Sequence, residues 1–244
     1  MNGSIAVFKR ELQSYFLTPV AYVFIVIFLI SANWLAFGVG GLYERGRADL
    51  SPFFEFHPWL FLFLVPALSM RLWSEERKSG SIELLMTLPL DRWQAVVGKF
   101  LAAWLFTTIA IALTFPVWIT INYLGAPDNG AIFAAYVGSV LMAGGFLAVG
   151  SCLSAITKNQ VIAFVLSVVV CFVLLLAGYP FVLDAFSAWL PATIVDGIAS
   201  LGFLTHFEDI SKGVIDLRDI VYFGLLIGTC LYATTLLLGI KQSD

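Results

Sequence analysis

Few side chains in this sequence could ligate a metal or act as a nucleophile. There are two histidines, His57 and His206, and three cysteines, Cys152, Cys171 and Cys230. Each histidine falls at the edge of an apolar stretch with no second ligand at metal-binding spacing, so it reads as a solvated or hydrogen-bonded residue. The cysteines lie inside apolar runs, and no pair has the spacing of a disulfide framework or a metal site; they read as small packing residues. No paired aspartates and no Ser–His or metal constellation sits at the depth an intramembrane protease would need. No catalytic residue and no metal ligand is therefore assigned. Lys, Arg, Asp and Glu are missing from the middle of every long apolar run, which weighs against ion-coupled transport. The remaining chemistry is recognition, and it is concentrated in Arg71–Pro89. There Glu75, Glu76, Arg77 and Lys78 precede the apolar Ile82, Leu84, Leu85 and Met86. An apolar anchor beside charges that fix register suits an interface better than a free surface.

The composition constrains the elements that must hold these residues. Of 244 residues, 60% are hydrophobic and 12% charged, against roughly 25% charged in a soluble domain. Such a chain cannot cover itself with polar groups in water, so its solvent is a bilayer. A net charge of −3 gives no reason to expect a nucleic-acid partner. From Leu12 to Leu42 there is no charge, a run longer than the roughly 7–15-residue core of a signal peptide; a cleavable leader is not expected. A spanning helix needs about 20 apolar residues. Six stretches qualify: Val20–Gly40, Phe56–Leu72, Arg92–Tyr123, Ile132–Ile156, Gln160–Leu183 and Leu217–Ile240. The expected fold is an all-α polytopic membrane protein with six transmembrane helices. Pro58 and Pro66 make the second stretch the weakest, and Pro66 and Pro116 are expected to kink their helices. Lys9, Arg10, Arg71, Arg77, Lys78, Arg92, Lys99, Lys158 and Lys241 fall on one side of this arrangement, and only Arg45, Arg47, Lys212 and Arg218 on the other. The positive-inside rule then puts both termini in the cytoplasm.

Residues 1–18 read as an amphipathic interfacial helix, with Ile5, Phe8, Leu12, Tyr15 and Phe16 on one face and Lys9, Arg10 and Gln13 off it. It is either a simple anchor or an elbow that also touches a cytoplasmic partner. The six-span domain occupies 19–244. Between spans two and three, the helix is expected to continue into the cytoplasm through Glu75–Lys78 and to end at Gly80. Ser79 or Ser81 can cap a second short helix over about residues 82–88, Pro89 stops it, and Asp91 with Gln94 forms a capping box that opens span three. A short helix held between two long ones is a lever, and its exposed apolar side chains need either a partner or the chain's own bundle. Asp184–Asp216 is too apolar for a solvated loop; Pro191, Gly197 and Gly202 cut it into short pieces bearing Phe186, Trp189, Phe203 and Phe207. Ala134, Gly138, Gly144, Ala148 and Cys152 in span four, and Gly224 and Gly228 in span six, permit close helix approach. Whether to the same chain or to a second protomer stays open.

The run Arg71…Glu75-Glu76-Arg77…Gly80-Ser81…Glu83-Leu84-Leu85…Pro89…Gly98-Lys99-Phe100-Leu101 resembles the signature of ABC type-2 permeases, the membrane subunits of ATP-driven exporters. The N-terminal Lys9-Arg10-Glu11-Leu12…Tyr15-Phe16…Pro19…Tyr22 and the late Gly213-Val-Ile-Asp216-Leu-Arg218-Asp219 bring it closest to the gliding-motility-type subfamily. The resemblance covers essentially the whole chain; Ser81 stands where the family more often has threonine, and the hydroxyl cap survives. The resemblance implies a permease subunit in the bacterial inner (cytoplasmic) membrane. Residues 74–90 would be its coupling helix, meeting a separate ATPase through Glu75, Glu76, Arg77, Gly80, Ile82, Glu83, Leu84 and Leu85. Phe8, Lys9, Arg10 and Leu12 would belong to the interfacial helix. Residues 184–216 would form short re-entrant helices capping the outer mouth, with Trp189, Phe203 and Phe207. The chain has no Gly-x-x-x-x-Gly-Lys-Ser/Thr phosphate loop, so no cofactor is assigned to it, and ATP and Mg would be bound by the partner. The expected partners are two ABC ATPase subunits, a second permease protomer, identical or related, an envelope accessory protein and membrane lipid. A scaffold subunit with no substrate pathway is the alternative. The sequence does not name a substrate, and the ATP energy could equally drive work on an envelope partner.

Overall fold

The computed structural model describes residues 3–82, 91–187, 189 and 191–240. Among them every regular element is helical. Helix α1 (Gly3–Leu17) is followed by α2 (Pro19–Trp34), whose first turn accommodates Pro19 because that N–H has no helical partner. The helix runs on as a π-helical turn, Leu35–Val39. The expected second span, Phe56–Leu72, falls on α4 (His57–Ser69) and the start of α5 (Arg71–Ser79), with a short helix α3 (Ser51–Glu55) ahead of it. Pro58 lies harmlessly in the first turn of α4, whereas Pro66 lies inside it, and the helix breaks at Met70, just beyond. The third span is α6 (Arg92–Ala112) and α7 (Phe115–Leu124), interrupted at Leu113–Thr114 with Pro116 in the new first turn. Then come α8 (Asn129–Ser154), α9 (Gln160–Leu176), α10 (Pro180–Ser187), α11 (Ala192–Ala199), α12 (Phe203–Ser211) and α13 (Leu217–Ile240). The Asp128 carboxylate caps α8 by accepting from the Gly130 and Ala131 N–H groups, and Asn159 caps α9 through the Val161 N–H.

Among the described residues, four stretches are long and apolar enough to cross a bilayer: Pro19–Val39, Arg92–Leu124, Asn129–Ser154 and Leu217–Gly239. A fifth is α9 with α10 if the pair, bent by 71°, is one span. The chain is a multi-pass membrane protein. The segment 51–79 is not one helix of that length, because Pro66 and the break at Met70 divide it. Its two ends nevertheless touch opposite ends of the bundle. Ser51 lies beside Pro127 and Asp128 at the start of α8, and Arg77 reaches Ala155 at its end.

Helix α8 is the hub, packed by α4, α6, α9, α12 and α13. Its small residues settle the question of what they face: the same chain. A Cβ on Gly138 would meet Ile210, on Gly144 Trp104 and Ile227, on Gly145 Phe203, and on Gly150 the Ser69 side chain at 2.0 Å. Around Gly224 and Gly228 there is nothing within 4 Å. Gly150→Leu must push α4 away, and overpacking of this kind costs about 1–3 kcal/mol. The expected result is a lowered melting temperature in detergent for Gly150→Leu and an unchanged one for Gly224→Leu; equal effects would contradict the assigned packing.

Candidate functional site

The lysine- and arginine-rich end of the bundle carries the polar constellation. Helix α5 buries Leu72, Trp73 and Ser74 and ends on Gly80 at φ +75°, a left-handed conformation that glycine adopts without steric cost. The break at Met70 leaves backbone groups that α8 satisfies. Ser154 Oγ accepts from the Trp73 and Ser74 N–H groups (3.2 and 3.1 Å) and donates to the Met70 carbonyl (2.8 Å). The Trp73 indole donates to Ser151 Oγ at 3.1 Å. Arg77 Nη1 donates to the Ala155 carbonyl at 2.5 Å, at the C-terminus of α8, where orphan carbonyls and the helix dipole favour a cation.

Three elements meet on Lys99. Its ammonium, 4% exposed, lies 2.8 Å from Glu76 on α5 and 3.2 Å from Glu11 on α1. It also sits 5.3 Å from the centre of a Trp73 ring. Arg10 pairs with Glu11 at 2.6 Å and approaches Glu76 at 3.9 Å. Gly98 makes the meeting possible: a Cβ there would stand 2.8 Å from the Ser4 carbonyl oxygen and 2.9 Å from Val7, so its absence lets α1 lie directly on α6. Tyr15 then stacks on Phe106, ring centres 5.1 Å apart. Burial opposes ionisation of Glu11, but Lys99 and Arg10 outweigh it and hold the carboxyl below its ordinary value. One Glu76 oxygen is buried with no partner among the described residues. Beside the network a polar groove of about 330 Å³ is lined by Glu11, Tyr15, Arg71, Glu75, Glu76 and Lys99, among others.

The residues singled out from the sequence are distributed unevenly around this centre. Glu76 and Arg77 turn inward to ion pairs and a carbonyl, whereas Glu75 and Gly80 are exposed. Ile82 packs against the core; Glu83, Leu84 and Leu85 lie outside the described residues. On α1, Lys9 and Arg10 are exposed and Phe8 and Leu12 half-buried. The buried residue is Val7, and Ile5 faces outward. The packed face is the expected one except at its start: Tyr15 and Phe16 pack on the core and Gln13 is exposed, while Gly98 draws Val7 rather than Ile5 onto α6. The expected capping box at Asp91 takes another form: Gln94 Nε2 donates to the Asp91 carboxylate at 3.3 Å, and the carboxylate caps no backbone N–H. Lys99, Glu11 and Trp73 were not singled out as site residues. The signal for them was a charge flanked by apolar residues in Gly98-Lys99-Phe100, which at that depth requires a counter-charge.

At the opposite end, Phe203 and Phe207 are buried on α12, while Trp189 is 88% exposed. Phe203 stacks on Phe146 with ring centres 4.5 Å apart. Helices α10 and α11 bury no residue, so of the three short helices described here only α12 is packed into the bundle. Both histidines are buried rather than solvated. His57 Nδ1 lies 2.8 Å from Ser139 Oγ inside a ring of Phe28, Phe53, Phe54 and Phe61. Between α6, α7 and α8 runs an apolar cleft of about 510 Å³, walled by Trp104, Phe115, Trp118, Phe133 and Tyr136.

Residues 52–195 match the sequence profile of the family described as ABC-2 family transporter protein. The chain is also similar to the probable multidrug ABC transporter permease YbhR of Escherichia coli, from strain K12 and from O157:H7, 24% identical over 154 residues. The similar region is 63% of this chain and spans 39% of the length of YbhR. The family profile covers more than half of the chain, and the chain belongs to that family.

Proposed function

We propose that this member of the ABC-2 transporter family is the six-span permease subunit of an ATP-driven exporter, of the gliding-motility type. In this reading the segment 51–79 crosses as a broken second span and α9 with α10 as the fifth. Both termini and residues 71–91 then lie on the cytoplasmic side of a bacterial inner membrane. Residues 74–90 receive the stroke of a separate ATPase that binds ATP and Mg. The observation that carries the reading is the Lys99 junction. It fastens α5, the helix leading to the proposed coupling segment, to both α1 and α6, so a push at Gly80 moves three elements together. Two ATPase chains and a second permease protomer complete the assembly, with an envelope accessory protein where the stroke does work outside. The apolar cleft and the charge-poor interior suit an amphiphilic or lipid-like cargo.

The test is the activity of the ATPase that co-purifies with the tagged chain. Its turnover in lipid nanodiscs is expected to change severalfold on addition of the permease. Turnover identical with and without the chain would instead mark it as a scaffold.

A further inference from the structure

His206 on α12 and Asp219 in the first turn of α13 are buried together, 3% and 4% exposed. His206 Nδ1 lies 2.6 Å from Asp219 Oδ1, and Nε2 lies 3.0 Å from the Ser200 carbonyl oxygen. A carbonyl only accepts, so Nε2 carries a hydrogen. If that were the ring's one hydrogen, the bare Nδ1 lone pair would point at a carboxylate lone pair from 2.6 Å, which is repulsive. A second proton therefore lies between Nδ1 and Oδ1. From this donor count we infer that His206 and Asp219 together bind one proton more than a neutral histidine and an ionised aspartate. That proton fastens the α11–α12 corner and α12 to the last span. The pair is net neutral while it holds the proton, which is what its burial requires.

The surroundings leave the proton no substitute. Asp219 Oδ2 has no hydrogen-bond partner among the described residues. From α13, Tyr222 stacks on the imidazole with ring centres 4.0 Å apart, but its hydroxyl is committed to the Leu201 carbonyl at 2.6 Å. Arg218, also on α13, is exposed. On α12 itself Glu208 and Asp209 are exposed, and Glu208 pairs with Lys212. Glu55 of α3 shares a groove with Glu208 and Lys212. Helix α8 contributes Tyr136 and Cys152 and α9 contributes Cys171 as titratable groups; no bond from any of them to the pair is found among the described residues. When the proton leaves to solvent, a buried carboxylate faces a bare ring nitrogen, and the packed state of α12 loses its tie.

Two measurements on the full chain in lipid bilayers test this. The chain has only two histidines, so 15N-histidine solid-state NMR resolves both rings. His57 is the internal reference: Ser139 Oγ spends its hydrogen on the Ala135 carbonyl, so His57 Nδ1 is the donor and its Nε2 is bare. At pH 7 the expected spectrum shows one ring with a single N–H and one with two, and Asp219→Asn converts the second ring to a single N–H. In parallel, the distance distribution between spin labels at Tyr123 and Glu208, with the native cysteines replaced, is expected to broaden when Asp219→Ala removes the tie. A bare nitrogen on both rings together with the 13C shift of an ionised Asp219 carboxylate, or an Asp219→Ala distance distribution identical to wild type, overturns the proposal. Neither readout needs an ATPase, so the outcome is independent of the exporter assignment.

Discussion

Lys99→Ala lowers the stability of the purified chain by about 3–5 kcal/mol, because it strands two largely buried carboxylates without their cation. Glu11 and Glu76 are 17% and 18% exposed and both point at the Lys99 ammonium. With Arg10 on the solvent side, they would face each other with little between them. Neutralising all three groups together, Lys99→Met with Glu11→Gln and Glu76→Gln, is expected to restore most of the loss. Removing a whole buried ion cluster is far less harmful than removing one partner. The measurement is thermal and denaturant unfolding in detergent. Acid adds a second signature. Glu11 is held below its ordinary value of 4.5, so its contribution is fully present above that pH and is lost as pH falls through the lowered value. In Lys99→Ala the leading favourable charge is gone, and this acid-side loss is expected to shrink. A Lys99→Ala chain as stable as wild type would mean that the junction does not hold α1, α5 and α6 together.

The second large effect falls on coupling rather than folding. Leu84→Ala is expected to weaken ATPase binding by on the order of 2 kcal/mol, about 30-fold in Kd, as truncation of an apolar interface anchor does. Glu83→Ala, at the rim of the proposed coupling interface, is expected to cost less. Gly80→Val acts through the backbone. At φ +75° there is nothing within 4 Å of where its Cβ would go, so there is no clash with a neighbour. The cost is the left-handed conformation itself, about 1–2 kcal/mol for a residue with a Cβ. That strain is relieved by redirecting the chain at the end of α5, which misaims whatever follows. Gly80→Val is therefore expected to leave the isolated permease folded while abolishing its effect on ATPase turnover. Co-purification of the ATPase with each variant, beside the melting temperature of the permease alone, separates the two effects. Wild-type binding and turnover in all three variants would remove this segment from the coupling mechanism.

The sequence by itself determined what depends on neighbours along the chain. Hydropathy and length identified the long apolar helices. Proline foretold the interruptions near Pro66 and Pro116, because a missing N–H and a ring clash are local. Gly80 announced the end of α5, because a left-handed φ is a property of one residue. What lay beyond reach was set by residues distant in sequence. At the division of 51–79 at Met70, Ser154, 84 residues on, caps the freed Trp73 and Ser74 N–H groups and shares the Met70 carbonyl with Ser74. The small residues of α8 could have met any helix. The tertiary structure chose α4, α6, α12 and α13 of the same chain, since only close-packed side-chain volumes decide which grooves fit. On α1 the periodicity marked Leu12, Tyr15 and Phe16, but the burial of Val7 follows from Gly98, which lets α1 lie directly on α6. Lys99 with Glu11 and Glu76, and His206 with Asp219, are pairings that desolvation enforces once the bundle closes. The local pattern around Lys99 could mark a charge that needs a partner, but it could not name Glu11 and Glu76, because which carboxylates come within reach is decided only when the bundle closes.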